Sequence, residues 1–161
     1  MSEALELFQA VIDEHRRRPR HRGPLPTANR VVTRENPACG DRCTLQFQIA
    51  PDSTNGSSSA PRILAAGFTG AGCALSQASA SLATSTLHAR SCTEALVLIT
   101  AVTRLVRGTS ASGRPVTLPS DIPDLPEELA TFATLQAHPA RHGCALLAWD
   151  AALAALTTEF A

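Results

Sequence analysis

Gly70-Ala71-Gly72-Cys73-Ala74-Leu75-Ser76 divides this chain into two kinds of sequence. Just ahead of it, apolar and polar residues alternate, the period of half-buried strands; behind it, apolar residues recur at helical spacing. The glycines allow a tight approach of the backbone. Cys73 falls at the start of the following helix, where unpaired N–H groups and the helix dipole favour a thiolate. As a nucleotide-binding loop the stretch fails, because no Lys-Ser/Thr pair follows it.

Working back from this boundary, a third strand runs roughly from Arg62 to Thr69. Thr44 to Ala50 alternates through Leu45, Phe47 and Ile49, and Ala28 to Arg34 contains Val31 and Val32; both predict strands. Residues 51–61, rich in Ser, Pro, Asn and Gly, predict a long hairpin connection. Leu5, Phe8, Val11 and Ile12 predict a helix over about residues 3–17 that ends before Pro19. It leaves through a basic stretch, Arg16 to Gly23, which is either a solvated helix end or a docking patch for a partner.

Working forward, Leu75 to Ala89 is rich in Ala and Ser and can pack closely against a neighbour. Thr93 to Arg107 carries Leu96, Ile99, Val102 and Val106, with Thr93-Glu94 as a suitable start. Gly108 to Pro126 is irregular and carries Asp121 and Asp124. A short helix is expected from Pro126 to Leu135. The last helix starts near Gly143 and carries Leu146, Trp149, Leu153 and Leu156. Strands first and helices after argue for an α+β fold. At 161 residues the chain suits one domain spanning 1–161.

Composition narrows the function. With five Phe, one Trp and no Tyr, a base-stacking surface is hard to assemble. Lys+Arg and Asp+Glu both total 14, so there is no basic excess for phosphate backbones; no nucleic-acid partner is expected. No apolar run approaches the roughly 18 residues of a membrane span. The first residues are acidic and amphipathic, unlike a signal peptide, so a cytoplasmic location away from membranes is expected. Five cysteines cannot all pair, and in a reducing compartment they are buried, metal-bound or reactive.

Two further motifs carry chemistry. Asn36-Pro37-Ala38-Cys39-Gly40-Asp41-Arg42-Cys43 is a turn between strands, which presents Cys39 and Asp41 two residues apart. Both are plausible zinc ligands, although a buried cysteine beside a turn-capping Asp is an equal reading. In His138-Pro139-Ala140-Arg141-His142-Gly143-Cys144, Cys144 also lies at a helix start, behind an arginine. Cys73 and Cys144 are therefore expected to share a setting that lowers thiol pKa. There is no CxxC pair, and spacing alone does not show that three distant cysteines converge.

The motifs Asn-Pro-Ala-Cys-Gly-Asp at 36–41, Gly-Ala-Gly-Cys-Ala-Leu-Ser-Gln-Ala-Ser-Ala-Ser at 70–81 and Pro-Ala-Arg-His-Gly-Cys-Ala-Leu-Leu-Ala-Trp at 139–149 resemble the SufU branch of the IscU/NifU-N-like iron–sulfur cluster assembly proteins. The order and context of all three match over most of the chain. His15 to Gly23 is similar to the family's basic, Pro-containing helix exit. The long stretch 108–138 is similar to the SufU insertion. The resemblance implies a small antiparallel three-stranded sheet packed against about five helices. It implies that Cys39, Asp41, Cys73 and Cys144 bind one zinc ion. It further implies that Cys39 accepts persulfide sulfur from a SufS-type, pyridoxal-phosphate-dependent cysteine desulfurase, a His of which replaces Cys39 on the zinc. The sulfur would pass on towards a SufBCD-type scaffold. Arg141 matches a family position near the site and would steer or steady the thiolate or persulfide. Gly143 departs from the family, which has Lys or His before this cysteine.

Cys43 and Cys92 match no family ligand and are expected in the core. The five histidines are expected to be structural or on the surface, with His142, beside Cys144, the best placed to be a ligand. Three functions remain: a zinc-dependent sulfur relay, a scaffold that assembles a [2Fe–2S] cluster on the same residues, and a structural zinc domain that only binds a partner.

Overall fold

The computed structural model describes residues 2–52, 59–108 and 116–157, with the side chains of 52, 59 and 60 excepted. Among the described residues there are four α-helices, α1 (Glu3–Arg17), α2 (Ala74–Leu87), α3 (Cys92–Arg107) and α4 (His142–Thr157), and one sheet, on which α2, α3 and α4 pack. A 3₁₀ segment, Glu127–Ala137, and a 3₁₀ turn, Pro139–Arg141, lead into α4. The sheet is antiparallel in the order β1 (Arg30–Glu35), β2 (Arg42–Asp52), β3 (Ser59–Ala71). This is the α+β architecture expected from the sequence. Residues 53–58 of the predicted hairpin connection and 109–115 of the irregular stretch lie outside the described residues.

Alternation along β2 buries Cys43, Leu45, Phe47 and Ile49 on one face. A bulge between Gln48 and Ile49 shifts the register against β3. The buried positions of β3 therefore change phase, from Ile63 to Ala66 and Phe68, while Leu64 stays exposed.

α2 lies at the centre, against α1, α4 and β3. It is buried nearly all round, and its small Ala, Ser and Thr residues let those neighbours approach closely. Its hydroxyls are satisfied across elements. Ser79 Oγ accepts from Trp149 Nε1 at 3.0 Å and donates to the Ala145 carbonyl of α4. Ser81 Oγ lies 2.8 Å from His15 Nδ1 of α1, and His15 Nε2 lies 3.3 Å from Glu128 Oε2. His15 is thus a buried structural bridge between α1, α2 and the 3₁₀ segment.

Two local expectations change. α3 is capped by Ser91, whose Oγ accepts the Glu94 N–H at 3.1 Å, so Thr93 is already inside the helix. The helix expected over 126–135 is the 3₁₀ segment. Its buried residues Leu129, Phe132 and Leu135 are three apart, the spacing that eclipses on one face at 3.0 residues per turn.

Candidate metal centre

Three chain segments meet at one end of the sheet. The first is the loop between β1 and β2. Its backbone closes on Asn36, whose N–H donates to Asp41 O at 2.8 Å and whose carbonyl accepts Gly40 N–H at 2.7 Å and Cys39 N–H at 3.2 Å. Asn36 Oδ1 also accepts the Ala38 N–H at 3.1 Å, an Asx turn that stiffens the loop. The second is the junction of β3 and α2. The register places Arg42 opposite Ala71, so Asp41 faces the residues just beyond the strand. The third is the first turn of α4, which packs on β1 and β2.

The outcome is a tight group. Cys39 Sγ lies 3.4 Å from Cys144 Sγ, although 105 residues separate them. Single ligand atoms of Cys39, Asp41 and Cys144 all lie within 4.8 Å of one another. Cys73 is not in mutual reach of all three; it joins through Asp41. Its thiol donates to Asp41 Oδ2 at 3.1 Å, and its backbone N–H donates to Asp41 Oδ1 at 3.1 Å. Cys73 also caps α2, its sulfur accepting the Ser76 N–H at 3.5 Å. Around a tetrahedral zinc with Zn–S bonds of about 2.3 Å, two sulfurs stand roughly 3.8 Å apart. The Cys39–Cys144 separation of 3.4 Å is near that value, and Cys39, Asp41 and Cys144 offer three donors to one ion.

The electrostatics suit a cation. Burial pushes the Asp41 carboxyl up, but hydrogen bonds from Cys73, Cys39 and Cys144 outweigh it and hold the group below the ordinary carboxylate value. Cys144 departs from the sequence expectation. Its thiol is pushed up, first by burial, then by Cys39, Cys73 and Asp41 crowding the same space. A helix start alone favours a thiolate; beside two thiols and a carboxylate, a second negative charge is disfavoured until a cation compensates it.

The other candidates separate cleanly. Cys43 and Cys92 are buried in the core, and burial pushes the Cys43 thiol up to about 12. His142 turns from the sulfurs, its Nε2 lying 2.6 Å from the Leu135 carbonyl, where it closes the end of the 3₁₀ segment. Arg141 is exposed, three residues before Cys144, and its side chain has no hydrogen-bond or ion-pair partner among the described residues. Asn36 was not singled out by sequence reasoning, yet its Nδ2 donates to Cys144 Sγ at 3.5 Å. Its place in the same motif as Cys39 was the available signal.

Residues 7–118 match the NifU-like N terminal domain. The chain belongs to that family. Within it, the chain is 30% identical over 153 residues to the iron–sulfur cluster assembly scaffold protein IscU of Streptococcus pyogenes serotype M1, covering 94% of this chain and 83% of the relative. It is also 30% identical over 145 residues to the zinc-dependent sulfurtransferase SufU of Bacillus subtilis strain 168, covering 90% of this chain and 86% of the relative. The NifU-like fold recurs in a candidate scaffold protein for the SUF system from Fervidobacterium islandicum AW-1, with a TM-score of 0.76 at 23% identity over 94% of this chain and 98% of that one. No helix among the described residues is long and apolar enough to cross a membrane.

Proposed function

We propose that this NifU-like chain is a zinc-dependent sulfur relay of iron–sulfur cluster biogenesis, acting as one cytoplasmic domain. In this reading Cys39, Asp41, Cys73 and Cys144 hold the zinc. The observation that carries it is the convergence of Cys39, Asp41 and Cys144 within 4.8 Å, from a loop and a helix far apart in sequence. The Bacillus relative's name, a zinc-dependent sulfurtransferase, supports the same reading. Bound zinc would keep the thiols deprotonated and masked at neutral pH.

The chain's own residues do the rest. Cys39 sits on an exposed turn, where a partner can reach it. Its thiolate attacks the terminal sulfur of a persulfide on a SufS-type cysteine desulfurase. A sulfur–sulfur bond forms to Cys39, the bond to the desulfurase cysteine breaks, and that cysteine leaves as a thiolate. Arg141, exposed three residues before Cys144, steadies the incoming negative charge. The persulfide on Cys39 then passes to a SufBCD-type scaffold.

The name of the Streptococcus relative favours a second reading, assembly of a [2Fe–2S] cluster on the same residues. One set of measurements separates the two. Purified protein is analysed for metal, then added to a SufS-type desulfurase as wild type and as Cys39→Ala. One zinc per chain and loss of activation in a folded Cys39→Ala support the relay. Retained activation in that variant sinks the acceptor role. An iron-containing chain that delivers its cluster to an apo-acceptor after anaerobic reconstitution supports the scaffold instead.

A further inference from the structure

The three sulfurs of the site are not equivalent, and the difference lies in N–H donors. Cys73 Sγ accepts the Ser76 N–H at 3.5 Å, from the first turn of α2. Cys144 Sγ accepts the Asn36 Nδ2–H at 3.5 Å. Among the described residues, Cys39 Sγ receives no N–H; its sulfur meets only the thiol of Cys144 and the carboxylate of Asp41.

The orientation of the Asn36 amide follows from its other partner. Oδ1 accepts the Ala38 N–H at 3.1 Å, so Nδ2 is the atom that faces the sulfur. The backbone of Asn36 is tied at the same time to residues 39, 40 and 41. One residue therefore shapes the loop that carries Cys39 and Asp41, and reaches across to the ligand on α4.

Gly143 supplies the room. A β-carbon at 143 would come 2.9 Å from Asn36 Nδ2, 3.5 Å from its Cγ and 3.6 Å from its Oδ1, the three nearest atoms. Asn36 is short and held at both ends, so it would have to leave Cys144.

We infer that Asn36, in the space left by Gly143, is a positioning residue that pins Cys144 as a fixed zinc ligand, which accounts for Cys39 being the sulfur that exchanges in the relay reading. An N–H donor favours the thiolate over the thiol and orients its lone pairs. Two sulfurs are tethered in this way and the third, Cys39, is not. This inference rests on the zinc reading above.

The test uses zinc-loaded wild type, Asn36→Asp and Gly143→Ala. Asn36→Asp keeps the acceptor for the Ala38 N–H and puts a charged carboxylate oxygen in place of the donor to sulfur. Gly143→Ala displaces the same donor without adding charge. Zinc affinity is read by competition with a coloured chelator. The order in which the cysteines are alkylated is read by mass spectrometry, with circular dichroism to check the fold. In wild type, Cys39 should be alkylated first and Cys144 well behind it. In Gly143→Ala zinc should be held about 10- to 100-fold more weakly, and in both variants Cys144 should approach the rate of Cys39. Wild-type affinity and order in folded Gly143→Ala overturns the inference, and so does a wild-type alkylation order in folded Asn36→Asp. Should Asn36→Asp not fold, Gly143→Ala decides by the same two readings. A wild-type chain that takes up no zinc overturns the zinc reading itself, before any variant is compared.

Discussion

Gly72→Ala should destabilise the metal-free protein by displacing Asp41. The backbone at Gly72 is outside the left-handed region, so alanine suits its conformation. The obstacle is contact. A β-carbon there would lie 2.6 Å from Ser76 Oγ, 2.7 Å from Asp41 Cγ and 2.8 Å from Asp41 Oδ1. Ser76 can rotate its hydroxyl away. Asp41 cannot move without giving up the Cys73 N–H, now 3.1 Å from Oδ1. A hydrogen bond to a buried carboxylate contributes about 2 kcal/mol. Alanine restricts the unfolded chain, which returns about 0.5 kcal/mol. The difference, about 1.5 kcal/mol, should lower Tm by roughly 3–6 °C in a chain of this size. Trp149, the sole tryptophan and fully buried, reports unfolding by its fluorescence. The same substitution made in an Asp41→Ala background should be neutral or slightly stabilising, because the clashing carboxylate is gone. An equal Tm drop in both backgrounds, or none in either, would refute the steric argument.

Three further outcomes are expected. Burial holds the Cys43 thiol protonated up to about pH 12 in the folded state, while the unfolded chain ionises it from about 9. The folded state then binds one more proton across that window, so stability should fall as pH rises through it, by up to about 1.4 kcal/mol per unit. Cys43→Ala should flatten that slope in alkaline denaturation curves. His142→Ala should leave zinc stoichiometry at the wild-type value, since its imidazole is engaged with Leu135 O; a lost equivalent by metal analysis would contradict the geometry. Arg141→Ala should keep zinc content and Tm within about 0.5 kcal/mol of wild type, as for an exposed side chain. It should lower desulfurase activation in steady-state assays; unchanged activation would remove its role.

The elements were legible because each carries its own period. The alternation of Leu45, Phe47 and Ile49 and the helical recurrence of Leu5, Phe8 and Ile12 report which faces are buried, whatever lies opposite. The change of phase on β3 was not legible, because a bulge is settled by the partner strand. The 3₁₀ segment was missed for a related reason: Leu129, Phe132 and Leu135 suit either helix type at a glance, and packing selects the tighter one.

By itself, the sequence determined where the strands give way to helices, at Gly70 to Ser76, and which motifs carry the candidate cysteine and aspartate ligands. It also assigned Cys43 and Cys92 to the core, since a cysteine at an apolar strand or helix position is set by local burial. Only the tertiary structure decided that Cys39 and Cys144 meet at 3.4 Å, that Cys73 joins through Asp41, and that His142 turns away. It also decided that Cys144 is a reluctant acid and that Gly143 makes room for Asn36. The physical reason is common to all of these. Distance, crowding of charge and room for an amide are properties of atoms brought together by packing, and residues 105 positions apart along the chain carry no local record of them.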